Sequence, residues 1–399
     1  MTDPVFTATE LAGIRLPNRI LRAATHEGMA DERGFPTEKL RRFYVRLARG
    51  GAGAIITGYT GIRQDGKSPQ FHMSMITNDA AIPAYRRITE AVHEFGTPII
   101  MQLAHCGRQT RSKITGLPTV APSAVRDGFY GEDRPEELTG GEIETIIDNF
   151  VDALARAKKA GFDGVQLHMA HGYLLSEFLS SHANRRRDRW GGSLENKYRI
   201  IGEIFSRARE RVGDFPILAK INAYDGRKRG MRPDEAAAVA RLLEKSGCAA
   251  VEISCGVFED GFSTIRGTKP PVDAIIAHTF KYKHYPDKAK KVAARLLKIF
   301  LRLPGPVDKY NLDAALHIKK RVNIPVIVVG GINNLADIRE IISRHGIDYV
   351  SMARPFIIEQ NIVDKFRSGR QERSRCIMCN YCAVIGEERP LKCYYGRLP

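Results

Sequence analysis

The sequence predicts an α/β fold, a TIM (β/α)8 barrel followed by a short cysteine-bearing C-terminal extension. Three observations point there. Short apolar segments and amphipathic helical segments alternate about eight times along the 399 residues. The apolar segments do not alternate strictly between apolar and polar positions, which is the pattern of parallel strands covered on both faces. Eight such units fill a closed barrel, and no GxGxxG follows an early strand as a doubly wound nucleotide-binding sheet would show.

Each element has its own signal. RILRAAT (19–25) is the first strand and ends at Thr25. A helix over 37–51 opens on Thr37 as N-cap and closes on Gly50 and Gly51. Strand two covers 52–58 and ends at Gly58; a helix over 79–96 leads to strand three, 97–105. Residues 106–138 include GLPTVAPSAV and are too rich in Gly, Pro and Ser for regular structure. An amphipathic helix, 138–161, leads into GFDGVQLH (161–168), a buried strand that runs out at His168. A helix over 193–213 precedes strand five (215–221), and one over 232–247, with Pro233 in its first turn, precedes strand six (249–255). Strands seven (324–331) and eight (347–354) are each followed by a helical segment.

Two parts exceed a minimal barrel. A basic insertion, 256–310, lies between strand six and its helix, where a long loop shapes substrate access or serves as a packing flap. The tail, 371–399, follows a barrel of residues 1–370.

Composition narrows the partners. A formal charge of +17 suggests an anionic one: nucleotide, CoA-type substrate, acidic electron-transfer protein or RNA. No run reaches the ~18 apolar residues of a membrane helix, and MTDPVFTATE lacks the basic-then-apolar order of a secretory signal. Seven cysteines, an odd number, argue against a disulfide framework and for the reducing cytoplasm. Four of them, Cys376, Cys379, Cys382 and Cys393, form C-x2-C-x2-C-x10-C. On spacing alone that set suits zinc or a [4Fe–4S] cluster.

Chemistry gathers at strand ends, the catalytic face of such barrels. His168, His171 and Tyr173 follow within six residues at the end of the fourth strand. Two imidazoles and a phenol can hold a developing oxyanion and deliver a proton. Gly330 and Gly331 after strand seven, and Ala353 and Arg354 after strand eight, sit where such folds hold a phosphate. The glycines admit close backbone approach, Arg354 adds a planar cation, and Lys220 ending strand five adds a second charge. Gln102 in strand three offers a donor and an acceptor together.

The stretch HMAHGYLLSEFLSSHANRRRDRWGGSLEN, with these strand ends, resembles the signature of the Old Yellow Enzyme family of FMN-dependent ene-reductases. It is most similar to the iron–sulfur branch containing 2,4-dienoyl-CoA reductase and trimethylamine dehydrogenase. The resemblance implies FMN, with Ala24, Thr25 and Gly58 near its ring, Gln102 on its pyrimidine edge, and Lys220 on the phosphate–ribityl side where the family commonly has Arg. Gly330, Gly331, Ala353 and Arg354 would take the phosphate. It implies that His168 and His171 grip the oxygen of an electron-poor alkene, an enone or enoyl compound. Flavin then delivers hydride to the β-carbon and Tyr173 protonates the α-carbon. It makes the tail an iron–sulfur extension with a [4Fe–4S] cluster on its four cysteines.

Two departures stand out: Gly256–Asp260 carries no His where the dienoyl-CoA branch has one, and the last two cysteine gaps are each one residue shorter. Larger relatives continue into an FAD- and NAD(P)H-binding domain. Ending at Pro399, this chain is expected to draw electrons from an acidic ferredoxin- or flavodoxin-like donor or a separate NAD(P)H reductase. Arg373, Arg375, Arg389 and Lys392 around the cysteines favour an acidic partner. Two further readings are an electron-transfer subunit of a larger complex and a tRNA-dihydrouridine synthase, another FMN barrel. No nucleic-acid or membrane partner is expected; a homo-oligomer is left open.

Overall fold

The computed structural model describes residues 3–396. Eight strands form its centre: β1 (Ile20–Arg22), β2 (Ala54–Ile56), β3 (Ile99–Ala104), β4 (Gly164–Met169), β5 (Ile217–Asn222), β6 (Val251–Ser254), β7 (Val326–Val329) and β8 (Tyr349–Met352). Each pairs in parallel with the next, and β8 pairs with β1, so the sheet closes on itself. The predicted TIM barrel is the observed fold. Every residue of β3, β4 and β5 is buried. That explains the lack of apolar–polar alternation, since helices cover one face and the barrel interior the other.

The helices follow the predicted signals. Glu38–Arg49 starts at Thr37, whose hydroxyl accepts from Leu40 N–H. Gly140–Lys159 starts at Thr139 with a reciprocal cap from Glu142 and buries Ile143, Ile146, Ile147, Phe150 and Leu154 on one stripe. Pro233 occupies the first turn of Pro233–Lys245. Differences are local. Segment 79–96 opens as a 3-10 turn, Asp79–Ala81, before the helix Ile82–His93. The loop after β3 holds a one-turn helix, Ser112–Thr115, and a two-residue parallel pairing of Val120–Ala121 with Glu136–Glu137.

One element was not expected from the sequence. Thr9–Leu11 and Ile14–Leu16 form an antiparallel hairpin. Its Leu11, Ile14 and Leu16 pack with the barrel-interior residues Leu21, Ile56, Ile100, Leu218 and Ile327. Burying each of the three contributes roughly 1.5–3 kcal/mol. The hairpin plugs the N-terminal end of the barrel, and the C-terminal end is left for the site.

That end is covered by the insertion and the tail together. The insertion folds into helices Val272–His278 and Asp287–Phe300. Its Ala274 and Ile275 pack with Val384, Ile385 and Tyr394 of the tail. Leu391 N–H donates to Glu27 O (2.8 Å), Phe71 N–H donates to Glu387 O (3.0 Å), and Leu391 joins the main core. The last three residues of the tail lie outside the described ones. Among the described residues, no helix is long and apolar enough to cross a membrane.

Candidate active site

β4 carries His168 and ends at Met169. His171 then takes a left-handed backbone (φ 64°), followed by Gly172 at φ 84°. A non-glycine residue there costs of order 1–3 kcal/mol, so surrounding contacts must hold it. His171 N–H donates to Asn222 Oδ1 (3.1 Å), its carbonyl accepts from Gln109 Nε2 (2.9 Å), and its backbone bridges to Val257. A Cβ on Gly172 would run into the same Gln109 amide. This turn folds His171 back over His168, with ring centroids 5.0 Å apart and planes at 84°. Tyr173 lands 4.8 Å from His168 at 77°.

Burial sets the protonation states. It holds His168 well below the ordinary imidazole value, with His171 and Lys220 adding to the effect, and it brings His171 down to about 3, helped by Lys220. Both rings are neutral near pH 7. His171 Nε2 lies 2.7 Å from Ser254 Oγ at the end of β6, a contact that orients the ring and accepts either tautomer. Burial raises Tyr173 well above the ordinary phenol value, which keeps its proton on. The trio can polarise an oxygen through N–H groups and hand over one proton.

All three border a cavity of about 380 Å³ at the C-terminal mouth of the barrel. Ala24 and Thr25 after β1, Gln102 from β3, Lys220 from β5, Gly330 and Gly331 after β7, and Ala353 and Arg354 after β8 border it too. Gly58 does not line it. Its N–H donates to Glu27 Oε1 (2.9 Å), and a Cβ there would meet that carboxylate. Gly58 is thus a close-packing glycine; the wall position belongs to its neighbour Tyr59.

Several predicted groups carry partners that sequence could not show. Lys220 Nζ lies 3.3 Å from Glu252 Oε2, a carboxylate buried inside the barrel. Gln166 donates to the same carboxylate (2.9 Å), Ser351 Oγ donates to its other oxygen (2.6 Å), and Gln102 Nε2 donates to Gln166 Oε1 (2.6 Å). A polar floor therefore crosses the barrel beneath the cavity, as buried charge requires. Thr25 Oγ1 donates to Ala23 O (3.1 Å). Arg354 Nη1 donates to Arg266 O (2.6 Å) and Asn380 Oδ1 (2.7 Å), tying insertion to tail while the residue borders the cavity. Gly331 (φ 71°) is demanded by the returning backbone of residues 307–309, against which a Cβ would collide.

Sequence reasoning also missed Tyr59, His26 and Ser254, all at the cavity. Tyr59 Oη donates to Gln70 Oε1 (2.5 Å) and lies 2.9 Å from Ser68 Oγ; its ring is 5.3 Å from Tyr173 and stacks on His26 at 5.2 Å. The available signal was a Tyr immediately after an apolar strand.

Residues 4–256 match the NADH:flavin oxidoreductase / NADH oxidase family, well over half of the chain. The chain belongs to that family. It is 34% identical to the NADH oxidase of Thermoanaerobacter brockii over 386 residues, 96% of this chain and 54% of the relative. It is 33% identical to the metal reductase of Desulforamulus reducens, covering 98% of this chain and 53% of that protein. The chain spans about half the length of both. A 2-naphthoyl-CoA reductase complex superposes with a TM-score of 0.82 over 98% of this chain and 57% of that one, at 21% identity, a likeness of fold.

As a member of this flavin oxidoreductase family, the chain is an enzyme, and its cavity can be tested against FMN. Its lining holds an amide and a hydroxyl (Gln102, Thr25), an ammonium (Lys220), and glycine backbone with a guanidinium (Gly330, Gly331, Arg354). Those donor types suit a heteroaromatic edge, a polyhydroxyl chain and a phosphate. FMN fits.

The four tail cysteines border a second, smaller cavity, and Cys382 borders both. Burial raises Cys376 and pushes Cys382 up to about 12, while Arg354 pulls both down. Among the described residues, no three His, Cys, Asp or Glu side chains close to the spacing of a single metal ion.

Proposed function

We propose that the chain is an FMN-dependent reductase of activated C=C bonds of the enone or enoyl type, fed through a [4Fe–4S] cluster on Cys376, Cys379, Cys382 and Cys393. The carrying observation is convergence: His168, His171 and Tyr173 share one cavity with the flavin-suited donors, and Cys382 borders it. Bound FMN would supply hydride. His168 and His171, both neutral, hold the substrate carbonyl oxygen and stabilise its developing charge. Tyr173 Oη gives its proton to the α-carbon, a step worth ~10²–10⁴ in rate. Thr25 and Gln102 orient the flavin, and Lys220, Gly330, Gly331, Ala353 and Arg354 hold its ribityl–phosphate end.

The cluster reading rests on the resemblance of the tail to the iron–sulfur branch, since the spacing of the four cysteines alone suits zinc or a [4Fe–4S] cluster. The four thiols border one small cavity that adjoins the flavin-suited one, with Cys382 in both walls. On this reading residues 371–399 are an iron–sulfur extension of a barrel of residues 1–370, placed in the iron–sulfur branch of the Old Yellow Enzyme group. The name of the 2-naphthoyl-CoA reductase and those of the reductase relatives support a reductive role. We assign the enzyme to the cytoplasm, its substrate to the electron-poor alkenes, and its donor to an acidic redox protein or a separate NAD(P)H reductase.

Anaerobic purification with flavin, iron and sulfide assays, followed by a panel of electron-poor alkenes, tests the whole reading. About four iron and four sulfide per FMN are expected, with alkene reduction that Tyr173→Phe slows by ~10²–10⁴ without slowing reduction of the enzyme. Flavin and cluster with no alkene turnover would instead identify an electron-transfer subunit.

A further inference from the structure

We propose that Lys281, on the insertion, anchors an anionic group of the substrate, a carboxylate or phosphate remote from the reacting bond. The claim rests on the reductase reading only for what happens at the inner end of the cavity.

Besides the neutral rings of His168 and His171, four residues able to carry a cation border this cavity among the described residues, and three are engaged. His26 Nε2 is hydrogen-bonded to Phe71 O (2.7 Å), Lys220 pairs with Glu252, and Arg354 is held by Arg266 O and Asn380. Lys281 has no carboxylate within 4 Å among the described residues. Its neighbour Lys283 is paired with Glu388 (2.5 Å). Instead, Lys281 Nζ rests 4.4 Å above the centroid of Phe129 and 5.9 Å from that of Phe280. Ring faces fix an ammonium in place without neutralising it, which leaves a preset cation able to form a charge-assisted hydrogen bond. Burial against the rings holds its pKa below the ordinary lysine value, although Asp127 and Glu387 pull the other way. An arriving anion restores what burial removes.

The path to the reacting end is aromatic. Phe258 lies 6.0 Å from Tyr173, and Phe129 lies 6.1 Å from Phe258. A flat apolar body can therefore lie from the His168–His171 grip to Lys281, with its charge at the outer end. Glu387 also borders the cavity, but burial raises it to about 7, so an anion beside Lys281 favours its uncharged form. Carboxylate substituents and the phosphates of a thioester carrier offer the same chemistry, and the test separates them.

Calorimetric titration of the holoenzyme would compare three saturated, unreactive ligands: 3-phenylpropanal, its 4-carboxylate, and 3-phenylpropanoyl-CoA. We expect at least one anionic ligand to bind about tenfold tighter than the neutral aldehyde. Lys281→Met should erase that preference without weakening the neutral ligand, Lys281→Arg should keep it, and Lys283→Met should leave it intact. A preference for the CoA ester alone assigns the site to phosphate; one for the benzoate assigns it to carboxylate. Equal binding of neutral and anionic ligands by the wild type, or equal loss of both in Lys281→Met, overturns the anchor. Binding needs no turnover, so an enzyme that keeps the preference but reduces no alkene refutes the reductase reading alone.

Discussion

His168 and His171 are held uncharged by burial, and the cost of keeping them so is measurable as pH-dependent stability. In the unfolded chain an imidazole takes up a proton near 6.5; in the folded chain His171 does so only near 3, and His168 is depressed as well. Between those values the unfolded state binds more protons, so stability falls as pH drops from about 6.5 towards about 3, and neither ring contributes a slope above that window. The limiting slope for one histidine is about 1.4 kcal/mol per pH unit. Other groups titrate in the same range: Glu359 is lowered to about 2 and Glu387 raised to about 7. The decisive quantity is therefore the difference between wild type and His171→Asn, a residue that tolerates the left-handed backbone. Urea midpoints from about pH 4 to about pH 6 should fall less steeply for the variant; parallel curves would show that His171 is charged in the folded protein.

At the scale of elements, the turn from β4 to the helix Leu174–Leu179 places the whole trio. Gly172→Ala would strain φ 84° and push Gln109 off the His171 carbonyl. We expect about 1–3 kcal/mol lost in stability and a larger fall in alkene reduction than in flavin binding, read by denaturation and by flavin retention. Loss of flavin in step with activity would show that the turn supports the cavity generally. The same elements show what was legible. Barrel strands could be read because they are apolar runs broken by polar residues in their C-terminal halves, where His168, Gln102 and Lys220 lie. The hairpin Thr9–Leu16 escaped because its three-residue strands have too little pattern to read. Gly58 does not line the cavity while Tyr59 does, because a shift of one position along a strand end exchanges the packing face for the cavity face. Glu252, Ser254 and Tyr59 gain meaning only from partners across the barrel, which no local spacing encodes.

Across the whole molecule, insertion and tail close over the barrel mouth as one cover, joined through Arg354, Asn380 and the packing of Ile275 on Val384 and Ile385. This cover makes the cysteine cavity a neighbour of the flavin-suited one, with Cys382 in both walls. Its outer side carries Ile377 (47% exposed) and Tyr395 (56%), with Arg373, Arg375, Arg389 and Lys392 exposed nearby. On the proposed reading these exposed cations, of which Arg375 is also paired with Glu359 (3.1 Å), suit an acidic redox protein, and steering of that kind raises association rates by roughly 10–10³ and fades with salt. Electron entry through the tail therefore predicts two linked results. Transfer from a reduced acidic donor to the FMN site should slow about tenfold or more as salt rises, and Arg375→Gln with Lys392→Gln should flatten that dependence. Cys379→Ser should remove transfer from the protein donor while dithionite, which is small enough to reach the barrel cavity, still reduces the flavin. A Cys379→Ser protein that stays folded, keeps FMN and accepts electrons from the donor at the wild-type rate would reduce the four cysteines to a structural clasp.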